Sequence, residues 1–399
     1  MKKRFKLFRV IDKSDGWINF ATLFLAVIGI VMTVSASMTA ADNSTRLLIS
    51  ESIKQLVYFV VGYFAMVFIS KRFNYRYLKR LIMPISILMI FSLLATLAFK
   101  EFNGAQAWIR ISVPFFSFSI QPSEFAKITT ILLIAMFLGD ISPNTKRTSK
   151  EILSPVFWII VIQAFIILVL QSDLGSAIVL LAVAFIALLI PSHPKIRRLQ
   201  NLGIVLLIFG IGASIFLLTD KGLALVAKTN LLRGFQLARF NDYANPFLNI
   251  TGTGFQLAGS LVAFSRGSLF GVGLGHSIQK YGYLPEARTD FILSLIAEEI
   301  GFFGVLLVML LYGLLIWRLL YYAVKVVKEK DKIILVGTVA FLFVHLLFNV
   351  GGITATIPLT GVPLLLVSSG GSSTLAIMLA IGICQNIISK HRKSIRRTT

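Results

Sequence analysis

The chain has 399 residues, of which 56% are hydrophobic and only 14% charged, with a mean hydropathy of +0.84 and a formal net charge of +22. A soluble domain carries about 25% charged residues, so this composition excludes that class and points to a lipid bilayer. One cysteine, Cys384, excludes an intramolecular disulfide, and four scattered histidines (His193, His276, His345 and His391) offer no zinc-binding spacing.

Crossing about 30 Å of hydrocarbon takes roughly 20 apolar residues in a helix, because only there are all backbone polar groups satisfied without water. Ten stretches meet or approach that requirement, near 17–38, 54–70, 81–99, 122–139, 154–170, 174–190, 201–219, 291–317, 333–350 and 370–389. They predict an all-α polytopic membrane protein of about ten transmembrane helices, with 1–399 forming a single domain. The first stretch follows a basic segment and precedes Ser35-Ala36-Ser37, as a cleaved signal peptide would. Its apolar core of about 20 residues exceeds the roughly 7 to 15 of a signal peptide, so it reads as a retained helix.

Basic residues alternate between the loops, which sets orientation. The N-terminal tail carries six, the segments after spans 2, 4, 6 and 8 carry five, three, three and five, and the C-terminal tail carries five, together 27 of the 39 Lys and Arg. Both tails, 1–16 and 390–399, are therefore predicted to be cytoplasmic. Most of the charge then serves orientation and attraction to anionic headgroups, at about 1 kcal/mol per basic residue near the surface, and calls for no nucleic-acid partner.

On this topology, residues 220–289 form one long extracytoplasmic loop between spans 7 and 8. Such length means function or disorder, and its many aromatics, among them Phe235, Phe240, Tyr243, Phe255, Phe264, Tyr281 and Tyr283, argue against disorder. The stretch 252–265 is apolar but too short to span, which predicts a re-entrant or interfacial helix.

Distinctive wording begins at Gly267-Ser-Leu-Phe-Gly-Val-Gly-Leu-Gly-His-Ser-Ile-Gln-Lys-Tyr-Gly-Tyr-Leu-Pro-Glu-Ala-Arg-Thr-Asp290-Phe-Ile, followed by Glu298-Glu299-Ile-Gly301. Further ordered segments are Asn103-Gly-Ala-Gln-Ala-Trp-Ile109, Gln121-Pro-Ser-Glu-Phe-Ala-Lys127, Gln171-Ser-Asp-Leu-Gly175, Leu359-Thr-Gly-Val-Pro363 and Val367-Ser-Ser-Gly-Gly-Ser-Ser373. Over nearly its whole length the chain resembles the SEDS family (shape, elongation, division and sporulation), its FtsW/SpoVE branch more than its RodA branch. It departs from the family wording at Arg288, where His is expected, at Ser172 in place of Pro, and at Ser369 in place of Tyr. None of these removes a carboxylate, although a guanidinium beside Asp290 cannot accept a proton as an imidazole could.

The resemblance implies a peptidoglycan glycosyltransferase that polymerises lipid II at the outer face of the bacterial cytoplasmic membrane during division, at the septum. It also implies a class B penicillin-binding transpeptidase and other division-complex membrane proteins as partners. Such chemistry needs a base for the attacking hydroxyl, cations for the departing pyrophosphate and an apolar groove for the polyprenyl chain. Asp290, where the outer loop enters span 8, is the candidate base, and a positioned base contributes about 10² to 10⁴ in rate. The residues alone equally allow Asp290 and Thr289 to cap the helix, at about 0.3 to 1 kcal/mol; the resemblance implies the catalytic role.

Glu298 and Glu299 lie eight and nine residues further along span 8, roughly 12 to 14 Å deeper at about 1.5 Å per residue. Lys127 shares a helix face with Glu124 and could reach span 8. Structural ion pairing and substrate contact both remain open for this set. Arg233, Arg239, Arg266, Lys280 and Arg288 could line a pyrophosphate site or form a solvated basic face; Glu286, Ser369 and Ser372 complete the candidate substrate-binding residues. Gln121-Pro122-Ser123-Glu124 also reads as a helix start and Asp173 as a helix cap. The glycines at 271, 273 and 275 read as flexible backbone for a re-entrant turn, since no strand and helix flank them as in a phosphate cradle. Gly370-Gly371 is a break that opens a cavity or lets helices approach closely.

No carboxylate cluster specifies a protein-only metal site, and a divalent cation, Mg or Mn, could offset the pyrophosphate charge. Two other functions compete. The charges inside spans suit a lipid II flippase or transporter, although such sites favour broken helices and the bilayer midplane, whereas the unusual residues here gather at one face. A non-catalytic division scaffold would use the loop without needing Asp290.

Overall fold

The computed structural model describes residues 10–38, 45–102, 104–113, 116–142, 144–217 and 254–398, with isolated positions between 219 and 247. Helix α1 (Gly16–Ser37) starts at Asp15, whose carboxylate accepts the Trp17 and Ile18 amides, satisfying donors that a helix start leaves orphaned. Helices α2 (Thr45–Arg72) and α3 (Tyr75–Ala95) follow, the second capped by the Asn74 side chain. Then come an antiparallel hairpin of β1 (Ile109–Val113) and β2 (Phe116–Ile120), and the helices α4 (Pro122–Leu138) and α5 (Ser149–Phe165), the latter closed by a π turn at Ile166–Leu170. The remainder is α6 (Leu174–Leu188), α7 (Pro194–Leu217), α8 (Phe255–Gly267), α9 (Ile292–Ile300), α10 (Phe302–Lys325), α11 (Glu329–Ile353) and α12 (Gly371–Thr398).

Among the described residues, seven helices are long and apolar enough to cross a membrane: α1, α2, α3, α5 with its π turn, α10, α11 and α12. At the centre, α4 is buried at almost every position and packs against α3, α6, α11 and α12, while α2 lies along α12. Phe64, Phe68, Leu88, Phe91, Phe209 and Leu310 point outward and exposed, the arrangement expected where lipid is the solvent.

Two expectations are corrected. The chain is not purely helical, because 109–120 forms the β hairpin; Ile-Arg-Ile-Ser-Val and Phe-Ser-Phe-Ser-Ile alternate with the period of two that a strand requires. Span 8, read as continuous over 291–317, is broken at Gly301 into α9, too short to cross, and α10, which is long enough. Gly301 has φ +78°, and a Cβ there would sit 2.4 Å from the Gly271 amide nitrogen. Hydropathy runs straight through the break because both flanks are apolar.

At one end of the bundle Asp15 ties three helices together. Its carboxylate accepts bonds from Arg318 of α10, from Arg392 of α12 at 2.8 Å and from the Tyr322 hydroxyl at 2.8 Å, while Gln385 bonds its backbone N–H and C=O. Burial pushes the Asp15 carboxyl up, but the bonds from Arg318 and Tyr322 and the charges of Arg318 and Arg392 outweigh it and hold it below its ordinary value. A depressed folded value contributes stability that is present above the unfolded value of about 3.9 and is lost as pH falls through the folded one. Asp15→Asn is accordingly expected to cost about 1 to 3 kcal/mol at pH 7, with the gap to wild type closing below about pH 4 in melting curves of the detergent-purified protein.

Candidate functional site

At the opposite end, α8 and α9 pack together as a short helical pair. Ser260 joins them by its contact with Ser294 Oγ (2.7 Å) and holds both to α11 by donating to the Ile353 carbonyl (2.7 Å). The approach is so close that a Cβ at Gly267 would lie 1.7 Å from the Ala297 carbonyl oxygen. The stretch 252–265 thus does contain a short helix, and Gly271, Gly273 and Gly275 all take positive φ in the turn that follows it.

The carboxylates of Glu298 and Glu299, at the end of α9, are completely buried. Glu298 accepts bonds from the Ser277 hydroxyl and the Ile278 amide (3.1 Å) and lies 3.3 Å from Arg266 Nε. Glu299 accepts from Ser35 Oγ of α1 (2.7 Å), from the Ser277 amide (3.4 Å) and from Lys280 Nζ (3.3 Å), which also donates to the Gly275 carbonyl (2.7 Å). A buried carboxylate survives only when paired and hydrogen-bonded, and here both acids meet that condition by holding the 275–280 turn. They sit at the end of the short helix α9, just before the break at Gly301, rather than partway along one continuous helix.

With that turn anchored, the following segment walls a cleft of about 350 Å³, lined by Ala36, Lys280, Gly282, Glu286, Arg288, Thr289 and Ser369 among others. Three successive carbonyls of this wall are pinned from other elements. Arg288 C=O accepts from the Ser369 amide (2.9 Å), Thr289 C=O from Ser368 Oγ (2.6 Å), and Asp290 C=O from Asn349 Nδ2 of α11 (2.8 Å), which also bonds the Val362 carbonyl. Thr289 Oγ1 donates to the Glu286 carboxylate at 2.8 Å. Asp290 is half-buried and directly follows the lining residue Thr289. Asp290 directly precedes Phe291, the residue at the N-cap of α9, whose side chain makes no capping bond.

A second polar group lies within the central helices. Lys127 Nζ pairs with Glu124 at 2.6 Å and contacts His345 Nε2 at 3.1 Å, and His345 Nδ1 lies 3.0 Å from the Pro363 carbonyl oxygen. Lys127 therefore meets α11 and not the segment after Asp290. Ser372 accepts from the Gln121 amide (2.9 Å) and is not among the cleft residues. Gln121 serves as the N-cap of α4 with Pro122 at the first position, and Asp173 caps α6 by accepting the Ser176 amide, both as read from the sequence. Arg233 and Arg239 lie outside the described residues. Among the described residues, no group of three or more His, Cys, Asp or Glu could hold a metal ion.

Sequence reasoning missed His345 and Asn349. Their signal was available, since two polar residues four apart in an apolar helix share a face and must find partners.

The family model described as "Cell cycle protein" (FTSW_RODA_SPOVE) matches residues 17–393. Stage V sporulation protein E of Bacillus subtilis is 33% identical over 92% of this chain and 94% of its own length. The probable peptidoglycan glycosyltransferase FtsW of Enterococcus hirae is likewise 33% identical, over 96% of this chain and 94% of that one. Among solved structures, a chain of a peptidoglycan synthase complex that coordinates polymerization and crosslinking aligns with TM-score 0.69 and 24% identity, covering 95% of this chain and 98% of its own. The rod shape determining protein RodA of Thermus thermophilus aligns with TM-score 0.61 and 25% identity over 95% of this chain and 97% of that chain.

Proposed function

The chain belongs to the FtsW, RodA and SpoVE family of cell cycle proteins, and from that premise we propose that it is a peptidoglycan glycosyltransferase of cell division, joining lipid II into glycan strands. It is a multi-pass protein of the bacterial cytoplasmic membrane, acting at the septum with a class B penicillin-binding transpeptidase and other division-complex proteins. In this reading ten helices cross the membrane, both termini are cytoplasmic and the cleft opens outward. The Asp15 lock joins the start of α1 to the ends of α10 and α12, next to the basic tails, while Ala36 at the far end of α1 lines the cleft, which supports that orientation.

The observation that carries the catalytic assignment is the triple pinning of the 288–290 carbonyls beside the cleft. A general base must be held within hydrogen-bonding reach of the proton it takes, and a backbone tethered at three consecutive residues holds the Asp290 side chain to a narrow range. Asp290 takes the proton from the acceptor sugar hydroxyl as that oxygen attacks the anomeric carbon of the donor. The bond to undecaprenyl pyrophosphate breaks on the opposite side, giving inversion, and the leaving group carries away the electron pair. Arg288 on the cleft wall, with Arg233 and Arg239 from the preceding loop, meets the pyrophosphate charge. Lys280 borders the cleft, yet its ammonium is engaged by Glu299; Lys280 and Glu298 therefore act by positioning the wall. The Glu124 and Lys127 pair reaches His345 of α11 and Ser372 accepts from the Gln121 amide, so these residues act away from the cleft, while Glu286 orients Thr289 and Ser369 holds Arg288.

The deciding experiment combines lipid II with the purified protein in the presence and absence of its cognate transpeptidase. Glycan polymer is expected. Movement of fluorescent lipid II between vesicle leaflets with no polymer would replace this reading with a transporter, and neither activity would leave a scaffold. A second expected result concerns position: Asn349→Leu removes the donor to the Asp290 and Val362 carbonyls, costing about 1 to 3 kcal/mol. Polymerisation should fall by at least about tenfold, since small misplacements of a catalytic group are expensive in rate.

A further inference from the structure

A second cavity opens at the same end of the bundle as the cleft. It measures about 170 Å³ and is lined by Glu101, Gly104, Gln106, Leu170, Gln171 and Ser172, between the segment that joins α3 to the hairpin and the π turn that closes α5. Gln171 is 1% exposed. Its Nε2 donates to the Leu93 carbonyl and to Thr96 Oγ1, both at 2.9 Å, and its backbone C=O accepts from the Gln106 amide at 2.9 Å. Those bonds set the amide in one orientation, and in that orientation its Oε1 has no hydrogen-bond partner among the described residues. Gln171 lines the cavity, and a buried acceptor without a donor in such a residue marks a place where a water completes the pairing, or a ligand hydroxyl reaches it as the side chain shifts.

Two features give this cavity its character. Ser172, a lining residue standing where the family wording has Pro, has φ +58°, a conformation closed to proline. A hydrogen-bonded bridge also connects the cavity to the cleft: Asp173, next to Ser172, accepts from Gln121 Nε2 at 3.0 Å, and the Gln121 amide donates at 2.9 Å to Ser372, three residues after the cleft residue Ser369.

The lining holds amides, a hydroxyl and a carboxylate and includes no Lys or Arg, which disfavours pyrophosphate and suits uncharged hydroxyl groups. Its volume corresponds to about half a dozen waters at about 30 Å³ each, the scale of a single pyranose ring. We propose that this cavity is a carbohydrate subsite that holds one sugar ring of the glycan strand, across the Ser372, Gln121 and Asp173 bridge from Asp290. The inference rests on the glycosyltransferase reading, and its consequence is retention of the strand between successive additions.

The test uses the full chain in nanodiscs with chitotetraose as the probe, read by saturation-transfer NMR, together with glycan chain lengths made from lipid II in the presence of the transpeptidase. Gln171→Leu and Gln106→Ala are expected to weaken probe binding at least fivefold and to shorten the glycan chains. Because Gln171 also bonds α3, its variant can unfold the local turn; Gln106→Ala leaves its own backbone bond to Gln171 intact and decides the matter if that happens. Unchanged probe binding and chain length in Gln106→Ala would overturn the subsite, as would binding that requires a peptide on the sugar. Wild-type protein that binds the probe but never polymerises lipid II would instead refute the glycosyltransferase reading and leave the subsite standing.

Discussion

Asp290→Asn is expected to lower lipid II polymerisation by at least about 10²-fold while leaving the protein folded. The substitution keeps the size of the side chain and removes its ability to accept a proton. The main-chain bond from Asn349 to the residue 290 carbonyl does not depend on the side chain, so the wall of the cleft should persist. Initial rates of glycan formation by the complex with transpeptidase, measured beside a melting curve, separate the possibilities. A residue that only capped a helix would lose about 1 kcal/mol of stability and no activity. Undiminished polymer from the Asn variant would end the general-base assignment. Asp290→Glu keeps the carboxylate and displaces it by one methylene; an intermediate rate is expected, because tethering at 288–290 leaves little freedom to compensate.

Glu299→Ala should be the most destabilising of the substitutions considered, at about 3 to 5 kcal/mol. Lys280 has no exposed side-chain surface and Glu299 is its carboxylate partner at 3.3 Å, so truncating Glu299 leaves an ammonium buried without its counter-charge. Ser35 of α1 loses its acceptor in the same step, which loosens the contact between α1 and the 275–280 turn. Removing both charges is a different matter. Glu299→Leu combined with Lys280→Met buries no ion, and a large part of the lost stability should return, a coupling that a double-mutant cycle measures directly. Polymerisation should stay impaired in the double variant, since the turn that leads into the cleft wall keeps fewer of its anchors. Full activity there would show that the wall does not need them.

The glycine-rich segment shows how legibility and its limits meet in a few residues. That a turn stands there was readable because Gly271, Gly273 and Gly275 lie close together without a strand and helix to make a phosphate cradle; the positive φ of all three came from the structure. The partner of that turn was not readable: the Glu298 carbonyl receives the Val272 amide at 2.9 Å and the Glu299 carbonyl the Gly273 amide at 3.0 Å, contacts across more than 25 positions of chain. Lys127 gives a parallel case. Its pairing with Glu124 follows from a spacing of three on one helix, whereas its contact with His345 spans 218 positions.

By itself, the sequence determined that this is a membrane protein, where most of its crossing helices lie, which residues start α4 and α6, and which family wording it carries. These are consequences of local properties: the length of an apolar run, the charge of a loop, and the way a proline or an acidic cap suits one helix end. Only the tertiary structure decided that the helix after Asp290 breaks at Gly301, that Glu298 and Glu299 face inward to hold a turn, and that Asn349 and Ser368 hold the backbone on either side of the proposed base. Each of those outcomes depends on what a distant segment brings within about 3 Å, and no window of neighbouring residues contains that information.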